Sequence, residues 1–169
     1  MARNVKMNGN PLTIVGAELK VGDKAPQSHL TDNDLNEKAL SDYLGKPVIL
    51  SIVPSLDTPV CNLQTRRFNK EAANLDGVNF LTISKDLPFA QKRWCAAAGV
   101  GNVVTLSDYR HPEFGTDYGL LIKETYLLTR AVWVLDKDGI IRYMEYVPDL
   151  GQEPDYQKAL DVVKGLRGK

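Results

Sequence analysis

Two cysteines, Cys61 and Cys95, are the side chains of this 169-residue sequence best suited to covalent chemistry. Cys61 ends the stretch Val48-Ile49-Leu50-Ser51-Ile52-Val53-Pro54-Ser55-Leu56-Asp57-Thr58-Pro59-Val60-Cys61. Its opening run of apolar and small residues reads as a buried strand. Pro54 cannot donate to a sheet ladder and stops the strand. Pro59 suits the first position of a helix, which makes Thr58 the natural N-cap. Cys61 then falls in the first helical turn, where unpaired N–H groups and the positive end of the macrodipole favour thiolate over thiol. The thiolate is the nucleophile, so this segment sets up a reactive sulfur. The bland alternatives stand beside it: a free cysteine as a small inert core residue, Thr58 as no more than a cap, Pro54 as no more than a strand end.

Cys95 follows Trp94 and precedes Ala96-Ala97-Ala98, in the middle or late part of a second predicted helix. By itself it reads as a core residue. There is no Cys-x-x-Cys pair, which argues against an ordinary thioredoxin-type dithiol. If both helices are intact, the sulfurs are placed too far apart to bond without local unwinding. A zinc set of His29, Cys61, Cys95 and His111 lacks any short-spaced ligand pair, so no metal is expected. Asp136-Lys137-Asp138-Gly139 reads as a turn rather than the start of a calcium loop. Arg66 and Arg67 read as a solvated helix face, Arg130 as a surface residue at a strand start, and Trp94 and Trp133 as core or interface aromatics.

The elements that must position these groups alternate. A hairpin is expected over about residues 3–15, around Asn8-Gly9-Asn10-Pro11. A short strand over 28–31 and a brief helix over 38–44 precede the Val48 strand. The Cys61 helix runs to about Leu75, with Val60, Leu63, Phe68, Ala72 and Leu75 on one face. A strand over 78–83 leads to the Cys95 helix, capped by Asp86 and closed by Gly99. Strands follow at 103–106, 131–135 and 140–146, and Pro154 opens a last helix. Strand–helix alternation implies parallel pairing through right-handed crossovers, with a final antiparallel hairpin. That is the logic of an α/β, thioredoxin-like three-layer sandwich with an N-terminal β-hairpin, in one domain spanning residues 1–169.

Composition narrows the function classes. Apolar residues make up 43% and charged residues 25%, as in ordinary globular proteins. Lys plus Arg and Asp plus Glu each number 21, so the net charge is zero and neither a nucleic-acid nor a membrane surface is indicated. The start, Met1-Ala2-Arg3-Asn4-Val5-Lys6, has no hydrophobic signal segment, and two cysteines are too few for a secreted disulfide scaffold. A cytoplasmic protein is expected.

Pro54-Ser55-Leu56-Asp57-Thr58-Pro59-Val60-Cys61 matches the peroxiredoxin pattern of Pro, three residues, Thr, two residues, Cys. Gly22-Asp23-Lys24-Ala25-Pro26, Ser84-Lys85-Asp86-Leu87-Pro88-Phe89-Ala90-Gln91, the position of Cys95 and the N-terminal hairpin resemble the bacterial thiol peroxidase subfamily. The resemblance covers nearly the whole chain. It implies that Cys61 is the peroxidatic cysteine, oxidised by hydrogen peroxide or an organic hydroperoxide to a sulfenic acid. It implies that Cys95 is the resolving cysteine, and that thioredoxin reduces the resulting disulfide. By the same resemblance Thr58, Arg130 and Pro54 complete the site, no cofactor is needed, and the chain is a homodimer in antioxidant defence. Other classes remain open on the residues alone: a dithiol oxidoreductase acting on proteins, a binding domain with two buried thiols, and a cysteine hydrolase, for which no histidine base is evident.

Overall fold

A short hairpin begins the part of the chain that the computed structural model describes, residues 3–167. Met1, Ala2, Gly168 and Lys169, which the expected 1–169 span includes, lie outside it. Strand β1 (Val5–Met7) pairs antiparallel with β2 (Asn10–Leu12). Asn8 and Gly9 between them both have positive φ, 52° and 79°, as a two-residue hairpin turn requires. The hairpin is shorter than the expected 3–15. β3 (Ile14–Val15) leaves it and pairs with β9 (Leu121–Ile122), inside a region that lacked a clear strand signal.

Next come β4 (His29–Thr31), β5 (Glu37–Ala39) and a 3-10 turn at Leu40–Tyr43, where a helix over 38–44 was expected. The central run is β6 (Val48–Ile52), α1 (Pro59–Ala73), β7 (Asn79–Ser84), α2 (Pro88–Ala98) and β8 (Val104–Ser107). A short α3 (Glu113–Asp117), the strands β10 (Ala131–Leu135) and β11 (Ile141–Tyr146), and α4 (Tyr156–Leu166) complete the order. α4 is capped by the Asp155 carboxylate, which accepts from the Lys158 N–H at 3.1 Å, one residue beyond the expected Pro154.

Seven strands form the main sheet in the order β11-β10-β6-β7-β8-β4-β5. β6, β7 and β8 are parallel and the remaining pairs antiparallel. The two crossovers β6–α1–β7 and β7–α2–β8 step the same way along the sheet. With a constant right-handed sense they put both cysteine-bearing helices on one face.

Strand alternation divides the core accordingly. Leu50, Ile52, Ala131 and Trp133 pack with Phe114 and Tyr118 on one face. Ile49, Val53, Val132 and Val134 pack on the other with Cys61, Phe68, Trp94 and Leu160, and half-buried Cys95 joins them. The result is the α/β three-layer sandwich that the alternation implied.

Candidate active site

Of the expected apolar face of α1, Phe68 and Leu75, the latter just past the helix end, are buried and Ala72 packs against the same cluster, but Leu63 is not buried. Leu63 is 52% exposed, whereas Cys61, Gln64, Thr65 and Phe68 are buried. Those four lie at i, i+3, i+4 and i+7 from the cysteine, one continuous helix face. Two of them are polar and must find partners inside the protein. The Thr65 hydroxyl donates to the Cys61 carbonyl at 2.9 Å. Gln64 Nε2 donates to Ser51 Oγ at 2.7 Å, and Gln64 Oε1 accepts from Arg130 Nη1 at 3.0 Å.

Arg130 is therefore not a surface residue. It is 2% exposed, at the start of β10, and Nε and Nη2 both donate to the Leu150 carbonyl, at 3.1 and 2.9 Å. Three of the five guanidinium N–H donors are thus engaged, all with neutral oxygens. No carboxylate lies within ion-pair distance of it among the described residues. A buried cation without a counter-ion is costly, and an anion brought beside it relieves that cost. The bond to Gln64 ties this guanidinium to the buried face of α1 that also bears Cys61, three positions earlier on the helix.

The turn before α1 shapes the approach. Thr58 occupies the N-cap position, but its side chain caps nothing. Its hydroxyl donates to the Ser55 carbonyl at 3.0 Å. The first N–H groups of α1 are consequently left without a side-chain cap. A cleft of about 320 Å³ opens at this end of the helix, lined by Pro54, Thr58, Val60, Leu127, Arg130 and Leu150, with Met7 from the hairpin turn at its edge. Pro54, Thr58 and Arg130, far apart in sequence, thus share one cavity. Cys61, next in the chain after Val60 of this lining, is fully buried and does not itself line the cleft.

Cys95 sits elsewhere on the same face. Its sulfur is 3.6 Å from Thr105 Oγ1, which in turn donates to Asn33 Oδ1 at 2.9 Å. Burial pushes the Cys95 thiol above its ordinary pKa, with the hydrogen bonds to Thr105 and Asn33 opposing. Both thiols are free. Cys61 is the third residue of α1 and Cys95 the eighth of α2, so the helical rise offsets them by ~7 Å along the axes. Neighbouring helices add ~8–10 Å between axes. A disulfide needs Cα atoms ~4.4–6.8 Å apart, so this pair joins only after a helix end unwinds.

The family model described as Redoxin matches residues 20–160. A thiol peroxidase of Oceanobacillus iheyensis is 55% identical over 157 residues, 93% of this chain and 96% of that protein. A thiol peroxidase of Bacillus subtilis is 51% identical over 162 residues, 96% and 97% of the two chains. This chain belongs to the Redoxin family, among its thiol peroxidases. A crystal structure of a peroxiredoxin-like protein from Aquifex aeolicus superposes with a TM-score of 0.92 at 43% identity, over 98% of each chain. Thiol peroxidase from Chromobacterium violaceum gives a TM-score of 0.88 at 21% identity, covering 96% of this chain and 95% of that one, a likeness of fold.

Within this Redoxin chain the remaining candidates fall away from the cleft. His29 and His111 meet each other, with ring centroids 5.8 Å apart, and the His111 nitrogens contact Glu37 and Glu113 at 2.9 and 3.3 Å. Arg66 lies over Trp94 and donates to the Ala98 carbonyl, and Arg67 pairs with Glu71. Reading the residues alone missed Gln64 and the Leu150 carbonyl. Gln64 had a signal: it lies three positions after Cys61, on the face that follows if the cysteine, not Leu63, points inward.

Proposed function

We propose that this chain works as an atypical two-cysteine peroxiredoxin, with Cys61 as its peroxidatic and Cys95 as its resolving residue. As a thiol peroxidase it is an oxidoreductase that reduces peroxides with electrons from thiols. The observation that carries the residue-level reading is a buried Arg130 with no carboxylate at ion-pair distance among the described residues, tied through Gln64 to the helix that bears Cys61.

In the first step the Cys61 thiolate attacks the terminal oxygen of a hydroperoxide. The O–O bond breaks, an S–O bond forms, and the leaving oxygen takes a proton to become water or an alcohol. Cys61 is now a sulfenic acid. The free N–H donors of Arg130 stabilise the charge that moves from sulfur to the leaving oxygen. Thr58, whose hydroxyl holds the Ser55 carbonyl at rest, turns to the peroxide when substrate is bound. Pro54 packs at the cleft wall and limits water. The apolar lining from Met7, Val60, Leu127 and Leu150 favours an organic hydroperoxide as well as hydrogen peroxide.

In the second step Cys95 displaces hydroxide from the sulfenic sulfur, and water and a Cys61–Cys95 disulfide result. A thioredoxin dithiol then reduces it by exchange, becoming a disulfide itself. Cofactors and metals have no part in these steps. We assign the chain a single domain, a cytoplasmic location and a homodimeric state. Exposed Leu63, Leu87 and Phe89 around the starts of the two cysteine-bearing helices support an apolar contact there.

Intact mass after one equivalent of hydroperoxide tests the chemistry. Wild type should lose two hydrogens, and Cys95→Ser should give a trappable sulfenic acid at residue 61. An unchanged wild-type mass would overturn the reading.

A further inference from the structure

Asp86 was expected to cap α2, and it does not: Leu87 holds that position and no side chain caps the helix. The carboxylate points back to the turn before α1 instead. Asp86 Oδ1 accepts from the Ser55 hydroxyl at 2.7 Å, and Oδ2 accepts from the Leu56 N–H at 2.8 Å and the Ser84 hydroxyl at 2.8 Å. Ser55 is the residue on which that turn closes. Its carbonyl takes both the N–H and the hydroxyl of Thr58, and its hydroxyl takes the Asp57 N–H. Leu56 is buried in the same cluster as Cys61. On the other side, Ser84 Oγ accepts from Gln91 Nε2 of α2 at 3.0 Å, and Gln91 also holds the Leu106 carbonyl. One carboxylate therefore ties the segment entering the Cys61 helix to the segment entering the Cys95 helix.

We propose that Asp86 is a positioning residue that latches the starts of α1 and α2 together in the reduced state, and so sets the balance between that state and the disulfide. This deepens the two-cysteine reading and rests on it. The disulfide requires a helix end to unwind, because intact helices leave the cysteines too far apart. Unwinding the start of α1 pulls on Ser55 and Leu56, the two residues Asp86 holds. Its bonds to them therefore favour the dithiol over the disulfide. Charge-assisted bonds of this kind are among the stronger ones, and the donors are preset by the turn. The latch keeps the turn before α1 closed until oxidation, at the expense of slower closure of the disulfide.

The test is the reduction potential of the Cys61–Cys95 pair in the full chain, measured against a dithiothreitol redox buffer, in wild type and Asp86→Asn. Asparagine keeps the shape but loses an acceptor oxygen. Removing contacts present only in the reduced state raises that state relative to the disulfide. The disulfide's equilibrium constant should rise on the order of tenfold, moving the potential ~30 mV more negative. Rapid mixing should show slower sulfenic acid formation but faster disulfide closure. A variant that merely loosens the fold would destabilise the dithiol and disulfide forms alike and leave the potential unchanged. An unchanged or less negative potential overturns the latch. Should Asp86→Asn fail to fold, Ser55→Ala, which deletes one of the Asp86 bonds along with the Asp57 contact, must shift the potential in the same direction by a smaller amount, and no shift overturns the proposal. A wild-type chain that forms no Cys61–Cys95 disulfide would instead sink the two-cysteine reading, and the latch with it.

Discussion

Cys61 and Cys95 occupy the same face of the same sheet, each on a helix that follows a parallel strand, yet their surroundings differ in kind. Cys61 is wholly buried in a first helical turn, with Gln64 one turn further on and bonded to the Arg130 guanidinium. Cys95 is half-buried in the later part of its helix, beside a threonine hydroxyl, with its thiol pushed up by burial. The difference teaches that burial by itself does not make a cysteine reactive or inert. What counts is whether the buried surroundings hold positive charge and free N–H donors. Cys61 opens a helix whose buried face holds Arg130 through Gln64; Cys95 has a threonine hydroxyl beside it.

The largest expected effect splits the two outright. Cys61→Ser should abolish reaction with peroxide. Cys95→Ser should leave the first oxidation of Cys61 nearly as fast as in wild type, followed by rapid mixing under single-turnover conditions. Equal losses in both variants would erase the contrast. Next is Arg130→Gln, which keeps a polar side chain and removes the charge. Oxidation of Cys61 should slow by about 10²–10³-fold, while alkylation of Cys95 in the native protein should not change.

Gln64→Leu leaves Arg130 Nη1 without its acceptor inside the protein. Denaturant unfolding should show a loss of about 1–3 kcal/mol, the cost of an unsatisfied buried donor, with slower peroxide turnover alongside. A stability equal to wild type would mean that the guanidinium has moved to another partner.

The smallest effect sharpens the Cys95 side. A raised thiol pKa means that the nucleophilic thiolate is scarce at neutral pH and grows as pH rises. Closure of the disulfide should therefore accelerate with pH from about 6 to about 9, and keep rising beyond the ordinary cysteine range. A closure rate that is flat over this range would show that Cys95 leaves its pocket before it reacts.

Much of the frame was legible residue by residue. The Val48 run, Pro54, Pro59 and Gly99 have local physics strong enough to mark strand, stop, helix start and helix end, and Gly99 does close α2 in a left-handed conformation with φ of 68°. The short pieces were not. β3, β5 and β9 have two or three residues each and owe their existence to partners distant in sequence. The second half of the expected α1 face, Phe68, Ala72 and Leu75, does pack on the core, but its first turns were misread because Leu63 is the more apolar residue and Gln64 the more polar. A tertiary bond from Arg130 reversed that preference.

Sequence by itself determined that a cysteine would open a helix after a buried strand, and that alternating elements would stack into this sandwich. Both follow from backbone restrictions and periodicity, which act over a few neighbouring residues. Only the tertiary structure decided which polar groups meet. Arg130 reaches Gln64 and Leu150, and Asp86 turns from its own helix to the Ser55 turn. Those meetings depend on where crossovers of fixed hand bring distant strand ends, and on the requirement that every buried donor find an acceptor, neither of which a local reading of residue types contains.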